Sequence, residues 1–245
     1  MKRSRRAAFS LLAASVMLAG LLAGSPASAR KVSAYRITIQ NLLQGQPLTP
    51  PVVALHNQKV DVYTPGEPAS FEVKEIAENG NTQPLVDLLD SRRGVGDVFV
   101  GDVPLVPRSR QDATGFEDTV TFELEGSRST RYLSWESMLI CTNDGFTGLD
   151  GVPLPTIPGR SVTFFTTGFD SGTELNTEDF ADIVPPCPPL SGVPSGEPGS
   201  GTSDPSLATD DVIHVHEGIA GGNDLVPRVH DWLDPVAQVV VTAVR

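Results

Sequence analysis

Ala34-Tyr35-Arg36-Ile37-Thr38-Ile39-Gln40 alternates its side chains, placing Tyr35, Ile37 and Ile39 on one face. A period of two belongs to a strand buried on one side. Extended character returns at residues 52–55, 98–100, 130–140, 162–166, 211–216 and 236–244, and at Thr119, Phe122 and Leu124. Between these runs lie turn residues such as Pro47, Pro50, Pro51 and Gly66. Helical grouping is confined to residues 71–78 and 83–89, where Leu85, Leu88 and Leu89 share a face. Residues 185–205 are crowded with Pro, Gly and Ser, which cannot hold a ladder, and read as one long loop. Many short strands and little helix predict a mainly β protein, an antiparallel β-sandwich with one or two short helices.

The N-terminus reads as an address. Lys2, Arg3, Arg5 and Arg6 precede an apolar run over residues 7–22, and Ala27-Ser28-Ala29 supplies small residues for cleavage. Residues 1–29 are therefore expected to be a secretory signal peptide, leaving residues 30–245 as a single exported domain, extracellular or periplasmic, without membrane insertion. The Arg5-Arg6 pair resembles a twin-arginine signal, but Phe9 sits one place too late, which favours general secretion.

Charge narrows the partners. Removing those four basic residues from 18 leaves 14 against 30 acidic ones, a formal −16. Such a surface repels nucleic acid and anionic lipid and attracts cations. The two cysteines, Cys141 and Cys187, are expected to form one disulfide in an oxidising compartment.

Two acidic, glycine-bearing loops follow predicted strands: residues 141–151 and 169–174. Carboxylates on such turns suit a hard, oxygen-seeking cation such as Ca²⁺, although Asp and Gly are also ordinary turn formers. The first loop is not an EF-hand, because twelve positions counted from Asp144 end on Pro155 instead of a bidentate Glu.

Several motifs in order resemble the spondin domain family, found in secreted animal matrix proteins and as stand-alone bacterial proteins. They are Tyr35-Arg36-Ile37-Thr38-Ile39-Gln40-Asn41-Leu42, Ala77-Glu78-Asn79-Gly80 and Ser137-Met138-Leu139-Ile140. Asn143-Asp144-Gly145-Phe146-Thr147-Gly148, Asp170-Ser171-Gly172-Thr173-Glu174 and Pro235-Val236-Ala237 complete the set. The resemblance implies a sandwich related to C2 domains with Ca²⁺ at one edge. Its ligands would map to Asp144, Asp170 and Glu174, the last being Glu where animal members have Asp. Asn143, Ser171 and Asp150 are weaker candidates.

His214 and His216, two apart on a predicted strand, could hold Zn²⁺ with His230 and Asp231, or could simply be polar residues on a solvated face. Trp135 and Trp232 could line a carbohydrate surface or pack in the core. No Gly-x-Ser-x-Gly elbow, Ser-x-x-Lys, His-Glu-x-x-His or phosphate-binding glycine loop is present. The expected function is thus a non-catalytic, calcium-binding adhesion or interaction module whose partner is an extracellular protein or glycan. A secreted hydrolase of an extracellular polymer and a metal-free structural protein are the alternatives.

Overall fold

In the computed structural model, residue 32 and residues 34–244 are described; the expected signal peptide lies outside them. Among the described residues ten strands form two antiparallel sheets. β1 (Ala34–Asn41), β4 (Thr119–Glu125), β7 (Ser161–Phe165) and β10 (Ala237–Ala243) make a four-stranded sheet in the order β4-β1-β10-β7. β2 (Val52–His56), β3 (Val95–Val100), β5 (Tyr132–Met138), β6 (Gly145–Pro153), β8 (Gly168–Asp170) and β9 (His214–Val215) make the other, ordered β3-β2-β5-β6-β8-β9. The expected β-sandwich is what the chain forms.

The alternation in β1 has the predicted result. Tyr35, Ile37 and Ile39 pack with Val239 and Val241 of β10 against Val53, Leu55, Leu133 and Trp135 of the facing sheet. Trp135 is thereby a core residue, and Trp232 packs partly buried beside His216, with ring centres 5.0 Å apart.

The opposite face of the larger sheet is covered by α1 (Phe71–Asn79) and α2 (Gln83–Ser91), the two helices expected from sequence. Ile76, Leu85 and Leu89 pack on Val52, Ala54 and Met138. Ser70 caps α1 by accepting the Val73 amide, and Gly80 ends it in the left-handed conformation that a glycine adopts without Cβ strain.

Among the described residues three further short α-helices appear: α3 (Gln111–Thr114), α4 (Cys187–Ser191) and α5 (Pro227–His230). α4 interrupts the long proline-rich loop, and the Cys141–Cys187 disulfide fastens it to the turn before β6. Neither sulfur's residue is exposed. No helix among the described residues is long and apolar enough to cross a membrane.

Two expected boundaries change. The acidic loop read over residues 141–151 is mostly strand, because β6 begins at Gly145. Its glycines signal close approach as well as turning: a Cβ on Gly148 would collide with the Trp135 carbonyl of β5. The strand read over residues 211–216 shrinks to His214–Val215, with His216 outside it.

Candidate metal centre

Asp144 immediately precedes β6, and Asp170 is the last residue of β8. Antiparallel pairing sets Gly145 opposite Asp170, so the two loops leave the sheet side by side. The Ser171 amide donates to the Asp144 carbonyl at 3.1 Å, which extends that pairing into the loops.

The Asp144 side chain is fully buried. Its Oδ2 accepts the Ser171 hydroxyl at 2.9 Å, the Thr173 amide at 2.8 Å and the Glu174 amide at 3.0 Å. Its Oδ1 is also buried but has no hydrogen-bond partner within the protein. A carboxylate oxygen stripped of water and left unpaired is costly. Burial, and then the nearby Asp170 charge, push the Asp144 carboxyl up to about 6, against the opposing pull of its hydrogen bonds.

Asp170 is buried as well. Its Oδ1 accepts the Gly172 amide at 2.8 Å and its Oδ2 the Asn176 side chain at 2.6 Å. His214, opposite it on β9, places Nδ1 4.0 Å from Oδ1. Glu174 forms an isolated antiparallel bridge with Ala208, and Leu175 donates to the Leu207 carbonyl, so residues 204–209 flank this loop. Burial pushes the Glu174 carboxyl up to about 8, assisted by Glu78, Asp144 and Asp182. Among the described residues, lysine and arginine form ion pairs only as Arg36–Glu123 and Lys74–Glu78. None reaches Asp144, Asp170 or Glu174.

The weaker candidates have other tasks. Asn143 clamps the following loop, donating to Thr177 Oγ1 and accepting the Glu178 amide. Ser171 supports Asp144. Asp150 stands apart from both loops, accepting the Val62 amide and the Ser134 hydroxyl.

The histidines and Asp231 do not converge. His214 is exposed and donates Nδ1–H to the Val212 carbonyl, whereas His216 is buried and accepts the Gly218 amide on Nδ1. Asp231 is occupied by the Ile219 amide. Among the described residues, one set of three His, Cys, Asp or Glu brings its ligand atoms all within 4.8 Å: Cys141, Cys187 and His230. It is not a metal site as it stands. The sulfurs are bonded to each other, and His230 Nδ1 accepts the Val226 amide at 2.8 Å, which leaves the ring proton on Nε2. The oxygens of Asp144, Asp170 and Glu174 are spread wider than 4.8 Å, so an ion would have to draw them inward.

A Ser/His/Asp set that sequence did not single out also exists. Ser134 Oγ lies 2.7 Å from His56 Nε2 and 2.8 Å from Asp150 Oδ1. The hydroxyl sits between acid and imidazole, instead of the imidazole sitting between acid and hydroxyl as nucleophile activation requires. Ser134 and His56 are buried, and Val52, Val62, Leu85 and Leu89 leave no room beside Ser134 for a water-sized molecule. This network holds strands together.

No protein-family model matches the chain, and no curated protein matches it.

Proposed function

We propose that this chain is a secreted, non-catalytic spondin-type module that binds Ca²⁺ and mediates adhesion or interaction outside the cell, with an extracellular protein or glycan as partner. The observation that carries the reading is the buried, unpartnered Oδ1 of Asp144, at the point where β6 and β8 bring Asp170 and Glu174 alongside. Three buried carboxyl groups without a lysine or arginine partner are a costly arrangement that a divalent cation would offset. The donors are all oxygen, which suits Ca²⁺ over softer metals.

In this reading Asp144, Asp170 and Glu174 hold the ion, and backbone carbonyls and water complete its shell. The ion supplies charge and ligation that fix the loops, and the fixed loops present the partner-binding rim. The Ser134 network, sealed and wrongly ordered, lends no support to the hydrolase alternative.

The deciding measurement is thermal unfolding of the purified protein in EDTA and in millimolar Ca²⁺. A site with Kd of about 10 μM stabilises by roughly 2–3 kcal/mol at that concentration. The midpoint should rise in the unmodified protein and stay unmoved in Asp170→Ala. An unmoved midpoint in both would leave a metal-free structural sandwich.

A further inference from the structure

The sandwich is closed along one side and open along the other. On the closed side the edge strands β3 and β4 meet. The Phe99 and Phe122 rings stack with centres 3.6 Å apart, and the Glu125 amide donates to Asp97 Oδ2 at 2.8 Å. On the open side the edges are β9, two residues long, and β7, five residues long. Native edge strands are shielded by charge, proline, a bulge, shortness or a cover. β7 reads Ser161-Val162-Thr163-Phe164-Phe165, without charge, proline or glycine, and pairs with β10 in unbroken register. Its outer residues, Ser161, Thr163 and Phe165, are all exposed.

The free side of β7 presents a definite set of groups. The Ala243 amide donates to the Arg160 carbonyl, and the Thr166 amide donates to the Ala237 carbonyl. Residues 160 and 166 therefore turn their backbone towards β10, and alternation turns Val162 and Phe164 the same way. The amides and carbonyls of Ser161, Thr163 and Phe165 are left pointing outward, and an antiparallel strand centred on Thr163 would engage all of them. β7 is such a strand for itself. A two-fold axis at Thr163 sets Thr163 against its own copy, Ser161 against Phe165 and Val162 against Phe164. Val162 and Phe164 pack on the sandwich core, so the apolar layer continues across the axis.

Charge completes the match. The same register sets Arg160 of one copy against Thr166 of the other, and by alternation on the side of the strand that Val162 and Phe164 share. Thr166, Phe165, Leu149 and Asp150 line one groove on the open side. Arg160 is exposed and makes no ion pair or side-chain hydrogen bond among the described residues. Asp150 gives Oδ1 to the Val62 amide and the Ser134 hydroxyl and stays partly exposed. An unpaired cation of each copy thus arrives at an acidic groove of the other.

We propose that β7 is a self-pairing edge: a second copy of this chain adds its own β7 antiparallel about a two-fold axis at Thr163. Two four-stranded sheets become one of eight strands. The contact is isologous, so it closes at two copies. It uses none of the candidate metal ligands and is independent of the calcium reading.

The test is sedimentation velocity of the purified chain in EDTA, over concentrations reaching millimolar, for the unmodified protein, Thr163→Pro and Arg160→Glu. Proline removes an outward donor on an edge where no bond to β10 is lost. The expected result is a monomer–dimer equilibrium whose Kd rises at least about tenfold in either variant, with thermal midpoints of the dilute proteins unchanged. A single-copy mass at every concentration would overturn the proposal. So would assemblies that grow beyond two copies, or a dimer that either substitution leaves equally strong. If Thr163→Pro lowers the midpoint of the dilute protein, Thr163→Cys decides. Directly opposed residues of a hydrogen-bonded antiparallel pair have Cα atoms about 5.5 Å apart, within disulfide reach. Air oxidation should then give a covalent dimer on non-reducing electrophoresis, and a folded variant that stays uncrosslinked would again overturn the pairing.

Discussion

The backbone amide of Glu174 donates to Asp144 Oδ2 at 3.0 Å, so one candidate ligand is held in place by the main chain of another. Asp144 consequently has two separable roles, one for each oxygen. Oδ2 organises the loop of residues 171–174, and Oδ1 has no partner within the protein, which makes it the oxygen that the proposed cation would engage.

Substitution should separate them. Asp144→Ala removes the acceptor of the Ser171, Thr173 and Glu174 donors. Stranding such groups is expected to cost on the order of 2–4 kcal/mol, read from urea unfolding in EDTA. Asp144→Asn keeps an acceptor and removes the charge, so it should unfold nearly as the unmodified protein does in EDTA yet lose the Ca²⁺ increment. Equal losses for both variants in EDTA would contradict the division.

Gly172 has φ +72°, and a Cβ there would stand 2.8 Å from the Asp211 carbonyl carbon and the Val212 carbonyl oxygen. Both the dihedral and the backbone neighbour oppose a side chain. Gly172→Ala should therefore lower stability by roughly 1–3 kcal/mol and weaken Ca²⁺ binding, since the Gly172 amide orients Asp170. Calorimetry and urea unfolding on the same preparation measure both.

Glu136 on β5 is wholly buried, and neither carboxylate oxygen has a partner. Burial, followed by the Asp150 and Glu72 charges, pushes its carboxyl up to about 8. A folded-state value above the unfolded one means that the folded protein binds the extra proton. The stability this represents is complete below the unfolded value, near pH 4–5, and is lost as pH rises towards about 8. Glu136→Met removes the ionisable group among apolar neighbours. It should flatten the decline between pH 5 and about 8 in urea unfolding with EDTA. An unchanged slope would show that Glu136 is not its source.

The disulfide spans 46 positions, and its loss should cost about 4 kcal/mol on the chain-entropy account. Because Cys141 and Cys187 are both buried, thiol labelling after mild reductant in native buffer should be slow and should speed up in urea. The double variant Cys141→Ala/Cys187→Ala should unfold at a lower temperature. It should also bind Ca²⁺ more weakly, since the Cys141 turn leads directly into Asp144.

Much of this fold was legible because its signals are local. The period-two stretch became β1, the grouped leucines became α2, and residues 52–55 became part of β2. β6 was obscured because Gly145, Gly148 and Gly151 imitate a turn; in the strand, Gly145 is crowded by Thr142 and Gly148 by the Trp135 carbonyl, while Gly151 has φ +58°. A continued strand would put His214 and His216 on one face; the chain leaves the ladder after Val215, exposing one ring and burying the other against Trp232. For the candidate site, a motif resemblance singles out Asp144, Asp170 and Glu174, whereas Glu78 and Glu136 look like ordinary helix and strand acids. Their burial without hydrogen bonds is decided by residues distant in the chain, which no local pattern encodes.

The pairing of β1 with β10 joins Tyr35 to Ala243 and Asn41 to Ala237, across nearly the whole described chain. β10 then carries β7 on its other edge. During synthesis, the four-stranded sheet therefore lacks an inner strand until residues beyond 236 have been made, and the apolar face of β1 waits without its partner. Closure depends on a contact of very long sequence separation, so it is expected to come late and to make folding slow. A ribosome-bound fragment ending before Ala237 would remain open to proteases, and adding the last strand would convert it abruptly into a resistant particle.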